Sequence, residues 1–195
     1  MKKMNVKVYL KIKVIDRNGK CIYYRRYRSR SFVANFLRVI YTNLSGVSIN
    51  NVDTNGNSYS ISTNDSIAIN AIANAEFFGI QIGSGTKSPS IIDNSLSQII
   101  TNGTNVGQMQ YGATSVTSPV INTSNNTGYI QITRTFTNNS GSSITVSEVG
   151  IVAYAEGYDG QSNHPYLIIH DLLPSPITVP NGSSLTIVYD VQVAT

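Results

Sequence analysis

Tryptophan is absent from the chain, cysteine occurs once, histidine twice, and charged side chains make up only 12% of it. A single Cys21 excludes an intrachain disulfide framework and any multi-cysteine zinc site. Two isolated histidines, His164 and His170, cannot form a paired-histidine zinc helix. The chain also lacks a nucleophile elbow and a carboxylate pair at recognisable spacing. No apolar run approaches the ~18 residues of a membrane-crossing helix. The opening Met-Lys-Lys-Met-Asn-Val-Lys is interrupted by lysines, which argues against a cleaved secretory signal. These absences point away from an enzyme, and no cofactor or metal is expected.

Serine, threonine and asparagine together supply 62 of the 195 residues. With charge so scarce, that composition points to a β-rich extracellular or particle protein. The length suits one domain, or one domain with an appendage, and is enough for a sizeable core. Charge is distributed very unevenly. Residues 1–38 carry 12 of the 14 basic side chains and one acid, a balance of +11, while residues 39–195 balance at −7. The sequence therefore divides into a basic head with an assembly helix, 1–46, and an acidic body, 47–195.

Val6, Val8, Leu10, Ile12 and Val14 alternate with Lys7, Tyr9, Lys11 and Lys13, a strand with one apolar and one basic face. Asp16-Arg-Asn-Gly19 predicts a hairpin with a type I′ turn. The return strand, 20–28, interleaves Tyr23, Tyr24 and Tyr27 with Arg25, Arg26 and Arg28. Such a ribbon suits a polyanion such as DNA, met through its phosphates, or the acidic body of a neighbouring subunit. A helix over 32–44 follows, capped by Ser29 or Ser31 and closed by Gly46. Phe32, Phe36, Leu37, Ile40 and their neighbours make it apolar around most of its circumference. Such a helix is buried on nearly all sides, in a core or between subunits.

Asp53-Thr-Asn-Gly-Asn57 marks a further hairpin or long loop, 77–82 a buried strand, and 89–100 a short helical turn. Residues 101–127 read as loop, with a strand near 109–111. The stretch 129–154 reads as a hairpin: 129–137 alternates strictly, Asn138–Ser143 turns, and Ile144 and Val146 resume the buried face. A change of phase at Glu148–Val149 suggests a bulge. In the hairpin register Arg134 faces Glu148, predicting a cross-strand ion pair, unless that end of the sheet is solvated. A loop is expected over 156–165, a strand over 166–169, a connector over 174–182, and a last strand through Leu185, Ile187, Tyr189, Val191 and Val193. Many short strands with Gly, Pro and Asn turns predict a mainly-β fold, a β-sandwich of jelly-roll type.

His170 and Asp171 are adjacent, so a strand sends them to opposite faces and they make a poor catalytic dyad. Gly83-Ser84-Gly85 lacks the Gly-Lys-Ser/Thr ending of a phosphate loop, and a plain turn is the simpler reading. Cys21, alone on a strand, reads as inert packing.

Three stretches carry a resemblance. Ile80-Gln-Ile-Gly-Ser-Gly-Thr-Lys-Ser-Pro-Ser90 with Asp93 and Leu96 is one. Ile132-Thr-Arg-Thr-Phe-Thr-Asn-Asn-Ser-Gly141 with Ile144-Thr-Val-Ser-Glu-Val-Gly-Ile151 is the second. Leu167-Ile-Ile-His-Asp-Leu-Leu-Pro174 with Ile177-Thr-Val-Pro-Asn-Gly-Ser-Ser-Leu-Thr-Ile-Val-Tyr189 is the third. In this order they resemble the tail, neck, nozzle and adaptor proteins of tailed phages and archaeal viruses. The resemblance implies no catalytic residues. It implies a virion location, a homo-oligomeric ring, and contact with other virion proteins. A capsid-decorating or receptor-binding module is the alternative.

Overall fold

The computed structural model describes residues 5–61, 67–156 and 163–194. Most of the loop expected over 156–165 lies outside the described residues. In chain order the elements are β1 (Asn5–Ile15), β2 (Cys21–Ser29), α1 (Ala34–Ser45), β3 (Asn50–Val52), β4 (Ser58–Ser60) and β5 (Gly79–Gly83). They continue with β6 (Gln110–Val116), β7 (Val120–Asn122), β8 (Thr127–Thr137), β9 (Ile144–Glu156), β10 (Asn163–Val179) and β11 (Ser184–Ala194).

The fold is mainly β, with one helix and antiparallel sheets. Strands β2-β1-β11-β8-β6 form one sheet, which β7 joins at β8, and β10-β9-β5 form another. Alternation dictates which faces meet. Leu10, Ile12 and Val14 of β1, Leu185, Ile187 and Tyr189 of β11, and Ile132 and Phe136 of β8 point inward from the larger sheet. Ile80 and Ile82 of β5, with Ile144, Val146, Val149 and Ile151 of β9, meet them from the smaller one. Each such aliphatic contributes about 1.5–3 kcal/mol on full burial. The basic hairpin of residues 1–46 is continuous with this core, because β1 pairs with β11 along its whole length.

Pairing of the central strands differs from the hairpin expected over 129–154. Strand β8 bonds to β11, β6 and β7, whereas β9 bonds to β10 and β5. The turn residues Asn138–Ser143 therefore carry the chain from one sheet to the other. The return crossing, from β10 to β11, lies beside them. Asn138 N–H donates to Ser183 O, Gly182 N–H donates to Asn138 O, and the Asn138 amide donates to Val179 O. A ribbon of β8 and β11 is thus folded over onto β9 and β10. Pro174 and Pro176 of the expected connector lie inside β10, where the register with β9 breaks between Leu172 and Ile177, so they interrupt no ladder bond, and Pro180 follows the end of β10 at Val179.

Two turns use one sequence device. In Asp16–Lys20 and Asp53–Asn57 the leading carboxylate accepts two backbone N–H bonds, and only the glycine (φ 80° and 87°) takes a positive angle. A type I′ turn would need positive φ at the preceding asparagine as well, so Asn18 does not form one. The hairpin over Asp53–Asn57 is present, joining β3 to β4. Over 89–100 no helix forms, only a single turn led by Ser90, in which Asp93 N–H donates to Ser90 O.

The helix begins at Ala34, after Val33, and no side chain caps it. Ser29 and Ser31 cannot serve, since β2 runs through Ser29 and Phe32 bridges to Ile169. Gly46 closes it in the left-handed conformation, as its N–H reaches Thr42 O. Helix α1 packs on the face of the smaller sheet that looks away from the core, through Val33 against Leu167 and Val39 against Tyr166. The molecule is layered: larger sheet, core, smaller sheet, helix.

Candidate functional site

Helix α1 presents its apolar side outward. Its buried residues are Asn35, Val39 and Thr42. Asn35 is held there by a two-way bond with β3, its Nδ2 donating to Val52 O and its Oδ1 accepting from Val52 N–H. On the opposite side stand Leu37, Ile40, Tyr41 and Leu44, spaced i, i+3, i+4, i+7 along one stripe. All four are exposed, Leu37 at 63% and Leu44 at 83%. A water-facing helix normally turns its apolar stripe inward, and here the arrangement is inverted. Ile91 and Ile92 extend the exposed apolar surface beside the helix start, where Ala34 N–H donates to Ile91 O. Among the residues expected in an assembly helix, Leu37 and Ile40 lie on this stripe. Phe36 and Phe32 are half-buried and pack against one another with tilted rings, centroids 4.3 Å apart.

The basic residues of the hairpin lie on the larger sheet, with Lys7 and Arg28 at the end where Phe32 and Phe36 line the same pocket. Register places Arg28 opposite Tyr9, Arg26 opposite Lys11 and Tyr24 opposite Lys13. Lys7, Lys11, Lys13, Arg26 and Arg28 therefore share the outer face of the larger sheet with Tyr9 and Tyr24. Arg25 is separated from them: it pairs with Ile12 and lies on the inner side with Tyr23 and Tyr27, because a strand alternates its side chains. Arg26 stacks over the Tyr9 ring at 3.5 Å, and Lys11 forms an ion pair with the buried Asp190. Tyr23 and Tyr27 share a hydrogen bond of 2.8 Å; burial, then that bond, pushes the Tyr23 hydroxyl up to about 12. Cys21 is exposed, in contrast to the packing role expected of it.

The expected Arg134–Glu148 pair does not form. Arg134 points into the core from the larger sheet, while Glu148 points away from it on the other side of the smaller sheet. All five guanidinium N–H groups of Arg134 go to backbone carbonyls. Nε donates to Gly112 O at 2.8 Å, Nη1 to Phe78 O and Ile80 O at 3.0 and 2.8 Å, and Nη2 to Ala75 O and Ile72 O at 2.5 and 3.5 Å. Tyr111 lies over the same group, 4.6 Å from ring to guanidinium carbon. Burial pushes the Arg134 pKa down to about 10, which leaves it charged at neutral pH.

Glu148 is equally enclosed. Oε1 accepts the N–H groups of Gly85 and Gln98, and Oε2 accepts the Ser97 N–H, the Ser97 hydroxyl and the His170 Nε2–H at 2.9 Å. Burial alone would raise its pKa, but these bonds hold it at about 2. The other nitrogen of His170 meets Asp93, whose second oxygen is paired with Lys87. Burial works against the imidazolium, yet its two carboxylate partners outweigh burial and raise its pKa. Both ring nitrogens are occupied and the ring is wholly buried, so His170 has no free lone pair with which to act as a base. Asp171 turns to the other face, to Ser29 and Tyr189, as its adjacency predicts. His164 stacks on Tyr59, 3.6 Å between centroids.

Gly83–Gly85 does line an anion, the carboxylate of Glu148 itself. An added Cβ would come within 2.5 Å of Glu148 Oε1 at either glycine. The three stretches that carry the family resemblance thus converge here, through Gly85 and Asp93, Glu148, and His170. Their polar residues join the loop over 84–98 to the smaller sheet. Sequence reasoning missed this convergence, although the juxtaposition of Gly-x-Gly with a buried-phase glutamate was a usable signal. No family model, curated protein or solved structure matches the chain.

Proposed function

We propose that the chain is a structural subunit of a virus particle, assembling with copies of itself into a ring at a tail, neck, nozzle or adaptor position. One observation carries the assembly half of this reading: the outward apolar stripe of α1. Leu37, Ile40, Tyr41 and Leu44 are exposed while polar Asn35 and Thr42 face inward. The stripe has no charge, so copies can pack on it without like-charge repulsion, unlike the basic face of the larger sheet. The particle half rests on the three ordered stretches and on the Ser-, Thr- and Asn-rich composition. Within the same reading, the β8/β11 ribbon folded over β9/β10 is the jelly-roll element.

Native mass tests it. Purified wild-type chain is expected as a closed oligomer by light scattering, with rings visible by electron microscopy. Leu37→Asp combined with Leu44→Asp is expected to give a monomer with an unchanged thermal midpoint. A wild-type chain that stays monomeric at all concentrations overturns the assembly, and open filaments overturn the ring.

A further inference from the structure

Among the described residues, the surface is more basic than the sequence suggests. Seven of its acids have described side chains, and five of them, Asp53, Asp93, Glu148, Asp171 and Asp190, are buried. Of the other two, Asp16 accepts two N–H bonds of its own turn and Glu76 accepts the Asn102 N–H. By contrast, none of the basic side chains described over residues 5–38 is buried. The negative charge of the 39–195 body is thus largely internal among the described residues. It offers little acidic surface on which a neighbour's basic hairpin could dock.

The outer face of the larger sheet concentrates what remains. Lys11 is neutralised by Asp190, leaving Lys7, Lys13, Arg26 and Arg28 available. They stand on two adjacent strands about 4.8 Å apart, Arg26 and Arg28 about 6.6 Å from one another along β2 and Lys7 and Lys13 about 20 Å apart along β1, with Tyr9, Lys11 and Tyr24 as the directly facing partners of Arg28, Arg26 and Lys13. Tyr9 and Tyr24 lie among them, and the outer positions of β11 and β8 beyond continue with uncharged Thr186, Val188, Thr133 and Thr135. Among the described residues this surface is the face of hydrogen-bonded strands, and contacts from it to phosphates carry no sequence information.

We propose that this face binds nucleic acid through its phosphates, without reading sequence. The proposal stands on surface charge and geometry and does not require the ring.

The test titrates the full chain into fluorescein-labelled duplex DNA of arbitrary sequence. Binding is expected at about 50 mM salt, with a log–log salt slope of about −3 to −4, from ~0.9 for each of four free cations. Arg26→Glu or Arg28→Glu is expected to weaken binding about tenfold or more and to flatten the slope. Arg38→Glu makes the same change in net charge on the helix side and is expected to act within about twofold. No DNA bound at about 50 mM salt overturns the proposal. So does an equal loss from Arg38→Glu, which would mean diffuse charge. Retention on phosphatidylserine vesicles without DNA binding would assign the face to a membrane surface. Loss of native mass in Arg26→Glu without DNA binding would make the face a subunit contact.

Discussion

His170 Nε2 stands 2.9 Å from Glu148 Oε2, and Nδ1 of the same ring stands 2.8 Å from Asp93 Oδ2. Both nitrogens face carboxylates, so the imidazole donates from both and is cationic whenever both carboxylates are ionised. The sign of its pH dependence follows. The His170 pKa is raised above 6.5, so its contribution is fully present below that value and is lost as pH rises through the folded pKa. The Glu148 pKa is depressed from 4.5 to about 2, so its contribution is present above 4.5 and is lost as pH falls toward 2. Thermal melts across the range should show a midpoint that is highest between these limits and declines on the alkaline side. His170→Gln should lower the midpoint and remove the alkaline decline. A variant that keeps the wild-type alkaline limb would assign that limb to other groups.

Arg134 serves five carbonyls, and truncating it removes a donor from each, those of Ile80 and Ala75 being the buried ones, while Ile72 O keeps the Ala75 N–H. Arg134→Leu should cost several kcal/mol, at about 1–3 kcal/mol for each buried carbonyl left without a donor. Arg134→Lys should recover only part of this, because an ammonium offers three donors from one point in place of a planar fork. Urea denaturation measures both. Equal stability of the lysine variant and wild type would show that charge alone matters at this site.

Gly85 admits no side chain. Its Cβ would stand 1.8 Å from Ser97 Oγ and 2.5 Å from Glu148 Oε1. Gly85→Ala should therefore destabilise the fold by at least about 2 kcal/mol. It should add less than its full cost to Glu148→Gln, since the two share one network. A double-mutant cycle with full additivity would mean that the glycine and the carboxylate act separately.

Helix α1 should separate folding from assembly residue by residue. Val39 packs against Ile61, Ala155 and Tyr166, so Val39→Asp should lower stability by about 3 kcal/mol or more. Leu44→Asp should change it by less than about 0.5 kcal/mol, the usual limit for exposed sites. A large cost for Leu44→Asp in dilute, monomeric protein would place that residue in its own subunit's core.

The sequence by itself determined the local elements, because their causes are local. Alternation in β1 and β11 states which side chains point inward. The spacing of Asp16 and Gly19, repeated in Asp53 and Gly56, makes a turn by short-range hydrogen bonds, and Gly46 ends the helix by its conformational freedom. Partners were decided only by the tertiary structure. Alternation shows that β8 has a buried face but not which strand lies beside it, so a sheet-to-sheet crossing and a hairpin read alike around Asn138–Ser143. Arg134 and Glu148 were legible as buried charges, yet their partners are mostly backbone carbonyls and N–H groups, which every residue carries and no pattern advertises. The same limit holds for α1. Its apolar residues surround most of the helix, and the side that turned inward is the one where Asn35 could bond to Val52.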